Sequence, residues 1–342
     1  MRSKNILFIA YYFDPYEVVG VKRISYWANQ IKSVSKGRYN PAIITSTYED
    51  TTSSNITRIK SPLSNSFFWS IKIIPTLIKS LSDKSIIVIT GGPFGTFWLT
   101  YLFRLFNKKV ILDFRDPYAN NPIHKINFFK KTFKNIYEFL VCLPANKIIT
   151  INNECSKLIN CNYNKIELIE NGFDERVLKE INRKNIVEKT ICYSGKISQG
   201  RDLNEFLTKM KKSPILKKYK FLYIGPDFSK IKNKDLVRSY GLLSYKENLE
   251  IISSCEYTLL LYAGYPFESS TKLFDYIGLN KPIIVYSSNK NRQGSIPKIM
   301  ESYSNSFYFE SKSYKINPQQ KNNDEYSRMS GLILLINLFD SF

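Results

Sequence analysis

The sequence has few of the residues from which metal-dependent and nucleophilic active sites are built. Its 342 residues include one histidine, His124. A histidine-rich zinc site is therefore excluded, and a Ser–His pair can form only through that imidazole, whose loop setting is more typical of a solvated side chain. Five cysteines, an odd number without metal-ligand spacing, argue against a disulfide framework and indicate a reducing cytoplasm. No metal site is predicted.

Long apolar runs are also missing. The strongest, at residues 94–106, is shorter than the roughly 18–20 residues that cross a bilayer, and it contains Arg104. Residues 1–16 run into aromatic and acidic side chains without a small-residue cleavage site, so we expect no signal peptide. Any membrane association is predicted to be peripheral, from the cytoplasmic side.

Acidic residues are scarce relative to basic ones. Lys and Arg total 50 against 29 Asp and Glu, which gives a formal net charge of +21. This excess points to a polyanionic partner: nucleic acid, anionic lipid headgroups or a phosphorylated substrate. The hydrophobic fraction of 43% and the charged fraction of 23% are those of a globular chain. The length suits two domains of roughly 150 residues each.

Short β-branched runs that end in polar or glycine-rich loops alternate with amphipathic helical segments. The apolar runs lie at 5–13, 41–46, 85–93, 108–118, 146–152, 190–198, 220–227, 256–263 and 281–287. The alternation predicts the α/β class, with two doubly wound parallel sheets and a polar linker region at 179–189. Ligands of such sheets bind beyond the carboxyl ends of the strands, so chemistry is expected there.

One strand end, in "LDFRDPY", carries three charged residues. The carboxylates of Asp113 and Asp116 can accept the proton of an incoming hydroxyl group, and Arg115 can orient that group or bind an anion. The alternative is a salt-bridged loop that caps the next helix.

A second strand end, in "YSGKISQGRDL", combines glycines with cations. Gly195 permits close backbone approach, and the start of the next helix favours an anion. Lys196 and Arg201 can hold a diphosphate from two sides. The alternative is an ordinary strand–helix loop with surface cations.

The most informative stretch is "ESSTKLFDYIGLNKPII". Ser270 and Thr271 are candidate N-caps of a helix. Lys272 then lies in the first turn, where a cation opposes the positive end of the helix dipole, and a bound phosphate would relieve that conflict. Asp275, one turn later, can take the two hydroxyls of a ribose. The alternative is a solvated Lys–Asp pair on the helix surface.

In the first half of the chain, glycines follow two of the predicted strands. Gly20 and the stretch 90–96 can bring backbone amides to a ligand. Neither segment fits the dinucleotide fingerprint G-x-G-x-x-G or a P-loop.

Taken in order, these motifs resemble the family 4 glycosyltransferases with the GT-B fold, over nearly the whole chain. The matching segments are "ILFIAYYFDPY", "VGVKR", "LDFRDPY", "LIENGFD", "YSGKISQGRDL", "YIG" and "ESSTKLFDYIGLNKPII". The resemblance implies two Rossmann-like domains across a cleft, an acceptor domain at 1–170 and a donor domain at 171–325. It also implies that a helix within 326–342 crosses back onto the first domain.

The resemblance further implies the roles of the site residues. Lys196 and Arg201 would contact the diphosphate of a nucleotide-sugar donor, next to Gly195. Lys272, with Ser270 and Thr271 at the same helix start, would bind the distal phosphate, and Asp275 the ribose. The donor side thus comprises Gly20, Gly195, Lys196, Arg201, Ser270, Thr271, Lys272 and Asp275.

Catalysis in such a family is retaining transfer of a hexose-type sugar without a metal or any cofactor beyond the donor, which is UDP-, GDP- or dTDP-linked. Glu268 would lie beside the transferred sugar, and Lys196 would steady the leaving group. Asp116, with Asp113 and Arg115 on the acceptor side, would lie near the acceptor hydroxyl.

Three positions depart from the family pattern. Val18 and Val19 precede a lone Gly20 where two adjacent glycines are common. The acidic pair that brackets the helix start is Glu268 and Asp275, one residue closer than usual. Lys196 stands where arginine is common.

The stretch "NFFKKTFKNIYEFLVCLP" mixes aromatics with lysines. Phe128, Phe129 and Phe133 with their neighbouring lysines suit an interfacial helix on an anionic leaflet; the alternative is a core helix with a solvated basic face. We therefore expect a lipid-linked saccharide acceptor at the inner face of a membrane, in bacterial surface polysaccharide assembly such as capsule or O-antigen.

Two other functions stay open. One is a nucleotide-sugar epimerase of the same fold, and the other is an inactive basic relative that binds membrane or nucleic acid. No helix-turn-helix, zinc finger or RNP motif is present in the sequence, so nucleic acid is not the expected partner.

Overall fold

Two sheets, one of eight strands and one of six, organise the chain in the computed structural model. The first belongs to unit 1 (Met1–Glu170 with Ser330–Phe342) and the second to unit 2 (Asn171–Met329). The structure describes residues 3–16, 20–47, 51–53, 55–81, 84–123, 126–198, 200–289, 292–311, 314 and 323–342. His124, Val18 and Val19, to which some of the sequence-based predictions refer, lie outside these residues.

Unit 1 has a doubly wound sheet. Its strands are β1 (Lys4–Ala10), β2 (Tyr39–Thr47), β3 (Thr51–Thr52), β4 (Ile56–Lys60), β5 (Lys84–Thr90), β6 (Lys109–Arg115), β7 (Lys147–Thr150) and β8 (Ile166–Leu168). Its helices are α1 (Val21–Val34), α2 (Ser66–Lys72), α3 (Ile74–Ser80), α4 (Leu99–Leu105), α5 (Phe128–Cys142) and α6 (Asn153–Ser156). The strand order is β3-β4-β2-β1-β5-β6-β7-β8, and every pair except β3–β4 is parallel.

Unit 2 repeats the plan with a smaller, fully parallel sheet. Its strands are β9 (Val187–Ser194), β10 (Lys220–Ile224), β11 (Val237–Ser239), β12 (Cys255–Leu261), β13 (Ile283–Tyr286) and β14 (Ser306–Tyr308). Its helices are α7 (Glu175–Glu180), α8 (Leu203–Lys212), α9 (Tyr245–Ser254), α10 (Thr271–Gly278) and α11 (Ser295–Ser302). The strand order is β11-β10-β9-β12-β13-β14.

The last helix, α12 (Arg328–Asp340), begins in unit 2 and continues into unit 1. Leu332, Leu335 and Phe339 are fully buried there, in the same apolar cluster as Trp27 and Ile31 of α1. This cluster covers one face of the unit 1 sheet. Burial of the apolar side of α12 is what attaches it to unit 1.

Alternation along the strands of unit 1 builds two cores, one on each face of the sheet. In β1, Ile6 and Phe8 point to the α1 side, whereas Leu7 and Ile9 point to the other side. The second core is closed by buried residues of α2 to α5, such as Trp69. Strands buried on both faces need the continuous apolar runs by which they were predicted.

Each sheet has a point where the winding reverses. Between β1 and β5 in unit 1, and between β9 and β12 in unit 2, the connections leave in opposite directions. The loops beyond the carboxyl ends of these strands therefore diverge and leave room for a ligand. Both candidate sites lie at these two points.

The predicted α/β class with two doubly wound parallel-sheet domains is confirmed. The polar stretch at 179–189 is not a linker, because α7 already covers Glu175–Glu180 and β9 begins at Val187. The first three residues of β9 are exposed, so this part of the strand is polar although it pairs in the sheet. The short strands β3, β4, β8, β11 and β14 were not predicted, because short or charged strands have no continuous apolar run.

Candidate functional site

The loop after β9 is held in place by the neighbouring strand β10. Gly195 has a φ of +129°, a backbone conformation that only glycine adopts without strain. Its amide donates to the carbonyl of Ile224 at 2.8 Å, and its carbonyl accepts from the Tyr223 hydroxyl at 3.1 Å. The loop is therefore preorganised at the reversal point of unit 2.

Lys272, in the first turn of α10, lies against this loop. Its Nζ is 3.1 Å from the hydroxyl oxygen of Tyr193 and 4.5 Å from the centroid of that ring. A Cβ atom at Gly195 would lie only 2.3 Å from Cε of Lys272. Glycine at position 195 is thus required both by the backbone conformation and by the lysine beside it.

The charge of Lys272 is poorly compensated. Burial and, to a smaller extent, the positive charge of Arg201 lower the pKa of Lys272 to about 7, and the charge of Glu268 only partly opposes them. Among the residues that the structure describes, no carboxylate forms an ion pair with it. A bound anion would restore the ammonium form and remove this cost.

The start of α10 is open as well. Its N-cap Ser270 makes no side-chain capping hydrogen bond, and the first turn contains no acidic residue. Ser270 is buried and Thr271 half-buried. Amide groups at this helix end, next to Lys272, form a positive patch suited to a phosphate.

Arg201 is fixed by Glu268. Its Nε donates to Oε1 of Glu268 at 2.9 Å, and Nη2 donates to the same oxygen. The other carboxylate oxygen accepts from the Ala263 amide at 2.8 Å. The Glu268 side chain is 3% exposed, whereas the Arg201 side chain is 27% exposed. The carboxylate therefore orients a guanidinium that still reaches solvent.

Asp275 is placed away from this pair, towards α9. The Tyr245 hydroxyl donates to Oδ1 of Asp275 at 2.5 Å, and Asp275 is buried. Nearby on α9, Asn248 donates to the Ser194 hydroxyl at 2.8 Å, at the end of β9. The Oδ1 atom of Asn248 is buried and has no hydrogen-bond partner among the described residues. The start of α9 thus lies along the same sheet edge.

Lys196 is exposed and stands at the rim of this group. Its carbonyl accepts from the Tyr193 hydroxyl at 3.0 Å, while its charge acts on Asp227. The structure therefore brings together Gly195, Arg201, Glu268 and Lys272, with Lys196 beside them. Asp275 lies one helical turn away.

In unit 1, Arg115 and glycines line a small recess at the reversal point. Arg115, at the end of β6, has a φ of +53° and donates to the carbonyl of Gly91. A Cβ atom at Gly20 would lie 2.0 Å from Nη1 of Arg115, and one at Gly92 would lie 2.9 Å from Nη2. Tyr11 also lines the recess. Because Gly20 has no side chain, the guanidinium of Arg115 can lie against its backbone.

Asp113 and Asp116 are separated by burial. Asp113 is fully buried, where it pairs with Arg23 and accepts from the Thr90 hydroxyl at 3.1 Å. Arg23, itself buried, also donates to the carbonyl of Ile169 at 2.9 Å. Asp116 is exposed in the loop that follows Arg115. Of the three acceptor-side candidates, only Arg115 and Asp116 can meet a ligand in this arrangement.

Two tyrosines that organise the donor-side loop were not predicted from the sequence. Tyr193 and Tyr223 are register partners on β9 and β10, and their rings stack 6.3 Å apart. The signal was present as a repeated Tyr-x-Gly, in "YSG" and "YIG". Arg23, which pairs with Asp113 across ninety positions of chain, left no comparable local pattern.

Within the described residues, no group of three His, Cys, Asp or Glu side chains is placed to hold a metal ion. None of the helices in these ranges is both long and apolar enough to cross a membrane.

No protein-family model matches the chain, and no curated protein matches it. Solved structures do match over almost its whole length. Sucrose-phosphate synthase from Thermosynechococcus elongatus has a TM-score of 0.70 at 11% identity, covering 99% of this chain and 98% of that one. The lipopolysaccharide outer core galactosyltransferase WaaB has a TM-score of 0.59 at 13% identity, covering 99% and 100%.

A UDP-GlcNAc 2-epimerase from Methanocaldococcus jannaschii is also similar, with a TM-score of 0.58 at 12% identity, covering 98% of this chain and 99% of the other. The predicted GT-B fold is confirmed by these likenesses. At identities this low they establish the fold and do not distinguish transferases from epimerases.

Proposed function

We propose that this chain is a glycosyltransferase that moves a sugar from a nucleotide-diphosphate donor to a saccharide acceptor. The observation that carries the proposal is Lys272, a half-buried cation without a carboxylate partner among the described residues, set at an open helix start beside Gly195. The positive charge of Lys272 and of the helix start is not balanced by a carboxylate among the described residues. A bound diphosphate supplies the balancing negative charge.

The donor then binds along the reversal point of unit 2. Lys272 and the amides at the start of α10 bind the distal phosphate. Arg201, which is oriented by its hydrogen bonds to Glu268, binds the other phosphate. Lys196 closes the rim. Asp275, supported by the Tyr245 hydroxyl, takes the ribose hydroxyls.

The chemistry follows from where charge develops. As the bond between the anomeric carbon and the phosphate oxygen breaks, the nucleoside diphosphate gains negative charge, and preorganised cations and amides stabilise it. The sugar becomes oxocarbenium-like beside Glu268. We propose transfer with retention at the anomeric carbon and without a metal ion, as the motif resemblance implies.

The acceptor is assigned to unit 1. The exposed carboxylate of Asp116 takes the proton of the acceptor hydroxyl, and Arg115 holds an anionic part of the same molecule. A diphosphate that links a saccharide to a lipid fits that guanidinium. We propose lipid-linked saccharide as the acceptor, in bacterial surface polysaccharide assembly.

A thermal-shift series tests the donor site. We expect one of UDP-, GDP- or dTDP-sugar to raise the melting temperature of the wild-type protein. Lys272→Ala should lose that rise, and its turnover should fall by about 10²–10³-fold, as for removal of one charge-stabilising donor. Lys217→Ala, which removes an exposed lysine of the same unit, is the matched control.

If no nucleotide sugar stabilises the protein, or if Lys272→Ala responds like Lys217→Ala, the phosphate assignment is wrong. An inverted product in an otherwise active enzyme would leave the transferase standing and remove only the stereochemical proposal.

An epimerase that acts on the free nucleotide sugar is the second candidate, because several of the structural neighbours carry that name. The two are separated by incubating the donor alone in deuterated water. An epimerase converts the free nucleotide sugar and incorporates deuterium into the sugar ring. A transferase needs an added acceptor, and the deuterium content of the sugar ring then stays unchanged.

A further inference from the structure

The helices on one side of unit 1 expose large apolar side chains to solvent. On α5, Phe128, Phe129 and Phe133 are 76%, 82% and 73% exposed, and Ile136 follows on the same side of the helix. On α4, Leu105 is 84% exposed. We call the outward surface of α2, α3, α4 and α5 the aromatic face.

The aromatic face is continuous. The Tyr101 hydroxyl of α4 donates to the carbonyl of Leu140 on α5 at 2.9 Å. Trp98, at the start of α4, donates to the Ser70 hydroxyl of α2 at 2.7 Å. All four helices pack their inner sides on the same core cluster. Their outer sides therefore form a single layer, in which the exposed apolar side chains are neighbours and are not scattered singly over the surface.

The aromatic face is basic throughout. The six cationic residues of the four helices are Lys72, Lys79, Arg104, Lys130, Lys131 and Lys134. Their single acidic residue, Glu138, points inward, where it is fully buried and accepts from the amides of Ala119 at 3.0 Å and Asn160 at 2.7 Å. In unit 2, by contrast, α8 and α9 carry three glutamates, Glu205, Glu247 and Glu250, beside their four lysines.

The combination of exposed aromatic rings and unbalanced positive charge indicates which kind of partner binds the aromatic face. A second copy of the chain, paired through the same face by a two-fold axis, would set cations against cations. An anionic bilayer offers the complement to both features, because its headgroups carry phosphates and its acyl boundary accepts phenyl rings. The nearly full exposure of three phenylalanines at the start of one helix fits insertion better than a flat contact.

We propose that the aromatic face docks on the surface of an anionic lipid bilayer. Phe128, Phe129 and Phe133 enter the boundary between headgroups and acyl chains, and Lys130 and Lys131 contact lipid phosphates. Because α5 follows β6 and begins near the carboxyl edge of the sheet, docking brings the Arg115 recess near headgroup level. That last step rests on the proposed function, in which the recess holds the diphosphate of a lipid-linked acceptor.

The test is flotation of the full chain with two kinds of vesicle, phosphatidylcholine alone and phosphatidylcholine mixed with phosphatidylglycerol. We expect binding to the mixed vesicles that weakens at high salt. Phe128→Ser/Phe129→Ser/Phe133→Ser should lower the partition coefficient at least about tenfold. Lys130→Ala/Lys131→Ala should lower it by roughly tenfold or more.

Matched controls come from unit 2. Leu242→Ser/Ile186→Ser removes apolar side chains that are 75% and 61% exposed, and Lys217→Ala/Lys218→Ala removes two exposed lysines. Both controls should bind vesicles like the wild type. All the substituted residues are exposed, and an unchanged melting temperature checks that each variant folds.

Three results would overturn the proposal. The triple phenylalanine variant could float like the wild type, or the unit 2 lysine control could lose as much binding as Lys130→Ala/Lys131→Ala. Alternatively, sedimentation velocity without lipid could reveal a dimer that the triple variant abolishes. The rise in melting temperature with nucleotide sugar should persist in that variant, so a failure of docking is distinguishable from a failure of the donor site.

Discussion

The carboxyl edges of the two sheets share two arrangements, an ion pair and a cation beside a glycine, and the two units differ in how exposed these groups are. Each edge has a buried carboxylate that pairs with an arginine, Asp113 with Arg23 in unit 1 and Glu268 with Arg201 in unit 2. Each also has a second cation pressed against a glycine, Arg115 at Gly20 and Lys272 at Gly195.

The difference lies in what remains accessible. In unit 1 both members of the ion pair are buried, so the pair fixes strands and loops. In unit 2 the Arg201 side chain is 27% exposed and its partner only 3%, so the pair presents a cation outward. Lys272 adds an amine whose charge is costly until an anion arrives. The pattern is thus fully buried in unit 1 and partly exposed in unit 2, where the proposed function assigns it to a ligand.

The largest expected effect separates the two ion pairs. Asp113→Ala should lower the free energy of unfolding of unit 1 by about 3–5 kcal/mol, because it leaves the Arg23 charge buried and unpaired. Glu268→Ala should cost less, since Arg201 can turn to water. Denaturant unfolding followed by circular dichroism measures both. A fully stable but inactive Asp113→Ala protein would instead make Asp113 a catalytic residue.

The glycine pair sharpens the comparison further. Gly195→Ala places a methyl group 2.3 Å from Cε of Lys272 and should weaken nucleotide-sugar affinity roughly tenfold to a hundredfold, because the lysine must move and the backbone is strained. Gly20→Ala displaces Arg115 and should raise the KM for the acceptor by a similar factor. Isothermal titration with the donor and steady-state kinetics with the acceptor separate the two.

Gly195→Ala has a matched control in Gly241, which also has a positive φ but where a Cβ meets nothing within 4 Å. Gly241→Ala therefore carries the backbone strain without the clash. Gly20 has a φ of −67°, so Gly20→Ala tests the clash with Arg115 alone. If Gly20→Ala weakens donor binding instead, Gly20 belongs to the donor side, as the motif resemblance predicts.

The smallest effect is on pH dependence. The pKa of Lys272 is about 7 in the free protein, and a bound diphosphate raises it, so binding above that pH takes up a proton. Donor affinity should be flat below about pH 7 and then fall by up to tenfold per pH unit. Lys272→Arg keeps its charge, so its profile should be flat. Proton uptake measured by calorimetry in two buffers checks the sign.

The sequence predicted the fold because its buried strands are continuous apolar runs, each ending in a polar or glycine-rich loop. It also pointed to the loops around Gly195 and Lys272, since a glycine after a strand permits close backbone approach and a lysine at a helix start opposes the helix dipole. These are local signals, and a single sequence displays them. The roles assigned to these residues stay predictions.

The remaining features depend on contacts between distant positions. Nothing near Asp113 indicates that Arg23 will bury and neutralise it, and nothing near Asp275 indicates the Tyr245 hydroxyl. Charged residues look equivalent in a sequence whether they face solvent or core. The rings of α5 had two open interpretations for the same reason, and the orientation of the helix is seen only in the structure, where the rings are exposed and Glu138, Val141 and Cys142 are buried.

The split composition of unit 1 has a consequence for biosynthesis. Residues 330–342, which cover the α1 side of its sheet, are translated only after all of unit 2. While unit 2 is being made, the ribosome-bound chain therefore lacks Leu332, Leu335 and Phe339, which share a core cluster with Trp27 and Ile31 of unit 1. The core on that face of the unit 1 sheet can be completed only once α12 has been synthesised.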